Sequence, residues 1–136
     1  MLFERENAKS FERPSEARLR LELGRLRGYG KTSFASLTAE DGSYVQVAGG
    51  GVACTVEWHP ADGRQLRGYQ DIPKVPFPDG TPLRYSGGWV QMLRDEWFFV
   101  EQVADVFVAF RFSREFPAFL HWRDYTDQFR AHGVGG

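Results

Sequence analysis

The sequence predicts an α+β domain, an antiparallel four- or five-stranded meander with an N-terminal and a C-terminal helix packed on one of its faces. Three observations carry this expectation. Helical periodicity is confined to the two flanks of the chain, its middle alternates apolar and polar residues with a period of two, and the turns between the alternating runs are short and bear glycine. Helices and strands that are segregated in this way belong to the α+β class rather than to a parallel α/β sheet. With 136 residues the chain has room for one core and one domain, spanning 1–136. Residues 1–13 and 131–136 are expected as flexible ends.

Each element follows from its residues. "PSEARLRLELGRLRG" (14–28) opens with Pro, places Leu19, Leu21, Leu23 and Leu26 in a helical context and closes at Gly24 or Gly28. "KTSFASLTAEDGSYVQVAGGG" then carries a strand up to Thr38 and another from Tyr44, and its Asp41-Gly42 pair is a hairpin signal. Gly49, Gly50 and Gly51 break the pattern. "VACTVEWH" alternates as a third strand, "PADGR" turns the chain, and "QLRGYQ" supplies a fourth. After the Pro-rich "DIPKVPFPDGTP", "LRYSGGWVQML" reads as a fifth strand with a bulge or internal turn at Gly87-Gly88. "VEQVADVFVAFRF" places Val100, Val103, Ala104, Phe107 and Val108 at helical spacing, and beyond Pro117 "FLHWRDYTDQF" adds a short extended piece or turn.

Composition narrows the function classes. Seventeen basic residues stand against eighteen acidic ones, a balance that does not recommend a direct nucleic-acid binder. The charge is uneven along the chain: residues 1–30 hold seven Arg or Lys and five Glu, a net of +2, and the remainder carries a net of −3. No apolar run is long enough for a membrane helix, and "MLFERENAKS" lacks the apolar centre of a signal peptide, so a cytoplasmic protein without a membrane partner is expected. A single cysteine can form no internal disulfide and no cysteine-based metal cluster.

Four stretches imitate chemistry. In "VACTVEWHP" Cys54, Glu57 and His59 stand close in sequence, but period two puts Cys54 on a face with Val52, Val56 and Trp58 and turns Thr55, Glu57 and His59 the other way. Cys54 is therefore expected as a small core residue. "RGYGKTSF" has Arg25 where a phosphate-binding loop needs glycine, and it runs from helix into strand, the reverse of that motif. "AGGG" lacks the following helix of a dinucleotide fingerprint. His121, Asp124 and Asp127 of "HWRDYTD" could meet a metal on a helix, yet no second cluster completes the set. No metal, no cofactor and no catalytic residue is expected.

"SYVQVAGGGVACTVEWHP" together with "FPDGTPLRYSGGWVQMLRDEWFFVEQVADVFVAFRFSREFPAFLHWRDYT" resembles the small immunity proteins that bacteria encode beside polymorphic toxins, notably the family often paired with nucleic-acid deaminase toxins. The resemblance covers about residues 30–127. It rests on the Tyr-x-Gln strand leading into a hairpin, on Glu101-Gln102-Val103 in the first turn of the last helix, and on Pro117 followed by Trp122 and an acidic residue. One departure is Phe99 at the helix start, where such proteins usually carry Ser or Thr as cap.

The resemblance implies a non-catalytic protein that neutralises a cognate toxin domain, a nucleic-acid deaminase being the class often paired with it, by occluding the active site or substrate channel. A partner-binding face of aromatic and Arg anchors is then required. The candidates are Glu57, His59, Arg67 and Tyr69 on neighbouring strands and Arg94, Asp95, Glu96 and Trp97 in "LRDEW", read as an exposed turn. Two other readings use different residues. A small-ligand or regulatory domain would have an aromatic pocket of Trp89, Phe98 and Phe107, and a hydrolase would bring a distant partner such as Asp124 to Glu57 and His59.

Overall fold

The computed structural model of the chain describes residues 1–27, 32–51, 53–71, 80–85 and 88–127. Among them β1 (Leu2–Arg5), β2 (Phe11–Glu12), β3 (Phe34–Thr38), β4 (Tyr44–Gly50), β5 (Ala53–His59), β6 (Leu66–Tyr69) and β9 (His121–Asp124) form one antiparallel sheet in the order β2-β1-β3-β4-β5-β6-β9. β7 (Thr81–Tyr85) and β8 (Gly88–Met92) form a separate hairpin. Helices α1 (Glu16–Leu23) and α2 (Val100–Arg111) pack on one face of the large sheet. The class is α+β, as the sequence predicts, and the sheet is wider than predicted.

The local chemistry explains the boundaries. The Ser15 hydroxyl accepts a hydrogen bond from the Arg18 backbone N–H at 3.1 Å and opens α1, which ends at Gly24. Gly42 adopts φ 88° between β3 and β4, and Asp41 accepts from the Ser43 backbone N–H. The β4–β5 hairpin turns at Gly51 (φ 64°), next to Gly50, where any Cβ would lie 2.6 Å from the Leu26 backbone carbon and 2.7 Å from the Arg27 nitrogen. The segment leaving α1 thus crosses directly over β4, which accounts for glycine there. Phe99 precedes α2 and offers no acceptor. Gln102 supplies the missing cap from inside the helix, its Oε1 accepting the Phe99 backbone N–H at 3.0 Å, while Gly51 O accepts the Val100 N–H at 2.9 Å.

The helix-bearing face of the sheet presents Phe3, Ala35, Leu37, Val45, Val47, Cys54 and Val56 to Leu19, Leu23 and Leu26 and to Val103, Val106 and Phe107. Phe98 is fully buried with them, and its backbone exchanges two hydrogen bonds with Cys54, tying the entry of α2 to the start of β5. Cys54 is the core residue that its alternation predicts. Burial pushes its thiol up to about 12, so it is neither thiolate nor nucleophile near neutral pH. Trp58, Phe116 and Trp122 close one end of this core, with ring centroids 5.1 to 5.5 Å apart.

Three expectations need correction. Residues 1–13 are not a loose end, since β1 pairs with β3 over four residues and Phe3 is fully buried. Their alternation is too short and too charged to be read as a strand without its partner. "LRYSGGWVQML" is a hairpin rather than a fifth strand, the internal-turn reading of its glycines, although residues 86–87 themselves lie outside the described residues. The expected short extended piece or turn in "HWRD" is an edge strand of the main sheet, paired with β6 over four residues. Val52, residues 28–31 and residues 131–136 lie outside the described residues.

Gly50→Ala should lower the thermal midpoint far more than Gly51→Ala. The first Cβ would collide with backbone that cannot rotate away, whereas the second meets open space and costs about 1 kcal/mol for its positive φ. Thermal unfolding of the two variants checks the crossing, and equal midpoints would refute it. Trp122→Ala, which removes the ring touching both Trp58 and Phe116, should cost about 3 kcal/mol in denaturant unfolding.

Candidate functional site

The opposite face of the sheet carries a row of polar residues set by register alone. Gln46 stands opposite Glu57, Glu57 opposite Arg67, and Arg67 opposite Arg123, so four successive strands contribute one side chain each. Two guanidiniums on neighbouring strands repel each other unless an anion separates them. Glu96, from the turn after β8, is that anion. Its carboxylate lies 3.5 Å from Arg67 Nη1 and accepts from Arg123 Nη1 at 2.8 Å, from the Tyr125 hydroxyl at 2.8 Å and from the Leu93 backbone N–H at 2.7 Å.

The row continues in both directions. Arg67 donates from Nε and Nη2 to Glu57 Oε2 at 3.2 and 3.1 Å, and Glu57 Oε1 also accepts from Gln46 Nε2 at 2.9 Å. His59 Nε2 approaches the same oxygen to 3.2 Å, and the imidazole stacks on Tyr44 at 4.4 Å. At the other end Arg123 grips Asp95 with two nitrogens at 3.1 and 3.0 Å and lies flat over Tyr69, 4.3 Å from its centroid. Charges therefore alternate along Glu57, Arg67, Glu96, Arg123 and Asp95. Arg67 also bonds Gln91 O of β8, which fastens the small hairpin over this face.

Titration follows from these contacts. Burial by itself would raise the Glu57 carboxyl, but the His59 hydrogen bond, the Arg67 charge and the Gln46 hydrogen bond outweigh it and hold Glu57 below the ordinary carboxylate range. The hydrogen bonds that Arg123 donates to the Asp95 and Glu96 carboxylates raise its pKa, against the opposing effect of its partial burial. Tyr125 is raised by burial first and by its bond to the Glu96 carboxylate second. Each carboxylate of the row thus faces a guanidinium and accepts hydrogen bonds from it.

Of the residues singled out in the sequence, the structure brings together Glu57, His59, Arg67, Asp95 and Glu96, with Tyr69 beneath Arg123. "LRDEW" is not an exposed turn throughout. Glu96 is fully buried and Trp97 is 3% exposed, packed with Leu83 and Met92 against Ala53, while Arg94 is exposed and Asp95 partly so. The correction has a physical cause: Glu96 is drawn inward by the two arginines and Trp97 follows as an apolar ring over the sheet. Asp124 does not join Glu57 and His59, because it faces the other side of β9, opposite Leu66. Phe98 and Phe107 are buried core rings, and neither lines either of two hollows of about 260 and 370 Å³ among the described residues; the Trp89 side chain lies outside the described residues. Among the described residues no group of three His, Cys, Asp or Glu could hold a metal ion, and no helix is long and apolar enough to cross a membrane.

Gln46, Arg123 and Tyr125 escaped the sequence reading. Gln46 could have been found by extending the predicted hairpin register, but Arg123 depends on the distant pairing of β9 with β6, for which no local signal exists. No family model, curated protein or solved structure matches this chain.

Glu96→Ala should cost about 3–5 kcal/mol in chemical denaturation, because it leaves two guanidiniums facing each other. Asp95→Ala, at the wetter end, should cost about 1 kcal/mol or less. Similar values for the two would contradict the central position of Glu96. Stability should also fall in acid. Glu57 titrates lower in the folded chain than in the unfolded one, so its contribution is complete above the ordinary Glu pKa of about 4.3 and is lost as pH drops below it toward the folded value. Unfolding free energy measured as a function of pH should show this slope, and Glu57→Gln should flatten it.

Proposed function

We propose that the chain is a non-catalytic immunity protein that binds a cognate toxin domain, of the nucleic-acid deaminase type often paired with the proteins it resembles, and covers its active site or substrate channel. The observation that carries this reading is the wet end of the charge row. Arg123 is fixed between the Asp95 carboxylate and the Tyr69 ring, and His121 lies 5.3 Å from the same ring. Tyr and Arg held rigid before any partner arrives are the groups that dominate tight interfaces, since little side-chain freedom remains to be lost on binding.

The contact surface on this reading is the β6–β9 margin with the adjoining turn: Tyr69, Arg94, Asp95, His121 and Arg123. Glu57, Arg67, Glu96 and Trp97 lie beneath it and hold it in shape. Three carboxylates oppose two guanidiniums in the row, an excess of one negative charge while His59 is neutral. The body of the chain, with a net charge of −3 over residues 31–136, complements the basic groove of an enzyme that acts on nucleic acid and would speed their encounter at low salt.

Co-expression with the toxin domain encoded beside the gene should rescue growth, and the purified pair should associate more slowly as salt is raised. Tyr69→Ala combined with Arg94→Ala, which removes two anchors, should speed dissociation at least about tenfold while leaving the unfolding curve in place. Absence of rescue and of complex rejects the immunity reading. Rescue and dissociation untouched by the double variant reject this surface alone.

A further inference from the structure

A second charge cluster lies on the other side of the molecule, and its balance is the reverse of the first. Glu22 of α1 is 2% exposed and accepts from three arginines: Arg5 Nε at 3.0 Å, Arg18 Nε at 3.2 Å and Arg25 Nη1 at 3.1 Å. One carboxylate against three guanidiniums leaves two positive charges in excess. Of the nearby carboxylates on the helices, Asp105 pairs with Arg20 and Glu16 pairs with Arg20 and Arg114.

The geometry sorts the three arginines into two kinds. Arg5 is buried beside the sheet at 10% side-chain exposure, whereas Arg18 and Arg25 are each 54% exposed. Both exposed guanidiniums converge on the same oxygen, Glu22 Oε1. Arg18 is further pinned by the Phe11 ring, 4.5 Å from its guanidinium carbon. A buried carboxylate that is outnumbered in this way positions the cations more than it neutralises them. Two half-exposed guanidiniums anchored on one carboxylate oxygen, in a cluster of three arginines and one carboxylate, match the acceptor oxygens and the charge of a phosphate group.

We propose that Arg18 and Arg25, positioned by Glu22, form a binding site for a compact phosphate-type dianion, either free phosphate or the phosphate of a small monoester. A long polyanion fits less well. The flanking Glu16 and Asp105 interrupt the positive surface, and the chain as a whole carries a net charge of −1. The inference is independent of the immunity reading and stands or falls separately from it.

The test is a titration of the purified chain with inorganic phosphate, against sodium chloride at equal ionic strength, read from the arginine Nε–Hε signals in NMR spectra. Signals of Arg18 and Arg25 should move saturably with phosphate, with a Kd of about 1 mM or tighter, and should not do so with chloride. Arg18→Gln and Arg25→Gln should each weaken binding at least about tenfold. Glu22→Gln makes the cluster more positive yet should also weaken binding, since the guanidiniums lose their common anchor. Tighter binding by Glu22→Gln would show plain charge attraction and overturn the proposal, as would equal shifts in chloride. Should that variant fail to fold, the two half-exposed arginine variants decide alone. Parallel titrations with glycerol phosphate separate monoester from free phosphate, and a single-stranded oligonucleotide that binds more tightly than either through the same arginines would overturn the compact-ligand assignment.

Discussion

Arg67 and Arg123 stand opposite each other on adjacent strands, and the sheet edge can form only because Glu96 is placed between them. That one carboxylate determines more than a local contact. It closes its own turn on the Leu93 N–H, binds the Tyr125 hydroxyl that follows β9, and holds the chain after β8 against the sheet. The small hairpin and the last strand, which come from parts of the sequence far apart, are joined through it. A side chain of any other charge at position 96 would leave β9 with a cation facing a cation.

The row as a whole fixes register as well as adjacency. A slip of one residue in β6 would turn Arg67 into the apolar face and present Leu66 or Gly68 to Glu57, so the alternative pairing strands a buried charge. Packing adds a second lock on the same strand: a Cβ on Gly68 would lie 2.7 Å from Val56 and 2.9 Å from Leu120, and only the observed register puts glycine there. Ion pairs of this kind contribute little net stability against apolar substitutes. Their effect is to make wrong arrangements costly.

What was legible in the sequence divides along the same line. Hairpins with their own turn chemistry, such as Asp41-Gly42 and the glycines before Ala53, announce both strands locally, and the period of α2 shows its buried stripe. Alternation placed Cys54 inside and Glu57 with His59 on the other face. The non-local partners were not legible. β1 has four residues with two charges and becomes a strand only against β3, and β9 finds β6 across a separation of more than fifty residues. Glu96 and Trp97 read as surface because a charged, turn-forming segment is usually wet. Nothing in "LRDEW" tells that two arginines elsewhere will draw its glutamate in.

The two clusters carry opposite excesses, and each uses a buried carboxylate differently. Glu96 is shared between Arg67 and Arg123, which also pair with Glu57 and Asp95, so the row holds one carboxylate more than guanidiniums and fixes Tyr69, Asp95 and Arg123 in place. Glu22 is outnumbered three to one, so its exposed arginines keep most of their attraction for an anion. The sheet separates the two. Partner recognition on the β6–β9 margin and anion capture on α1 would therefore act on opposite faces of the same core, and neither site needs the other to be filled.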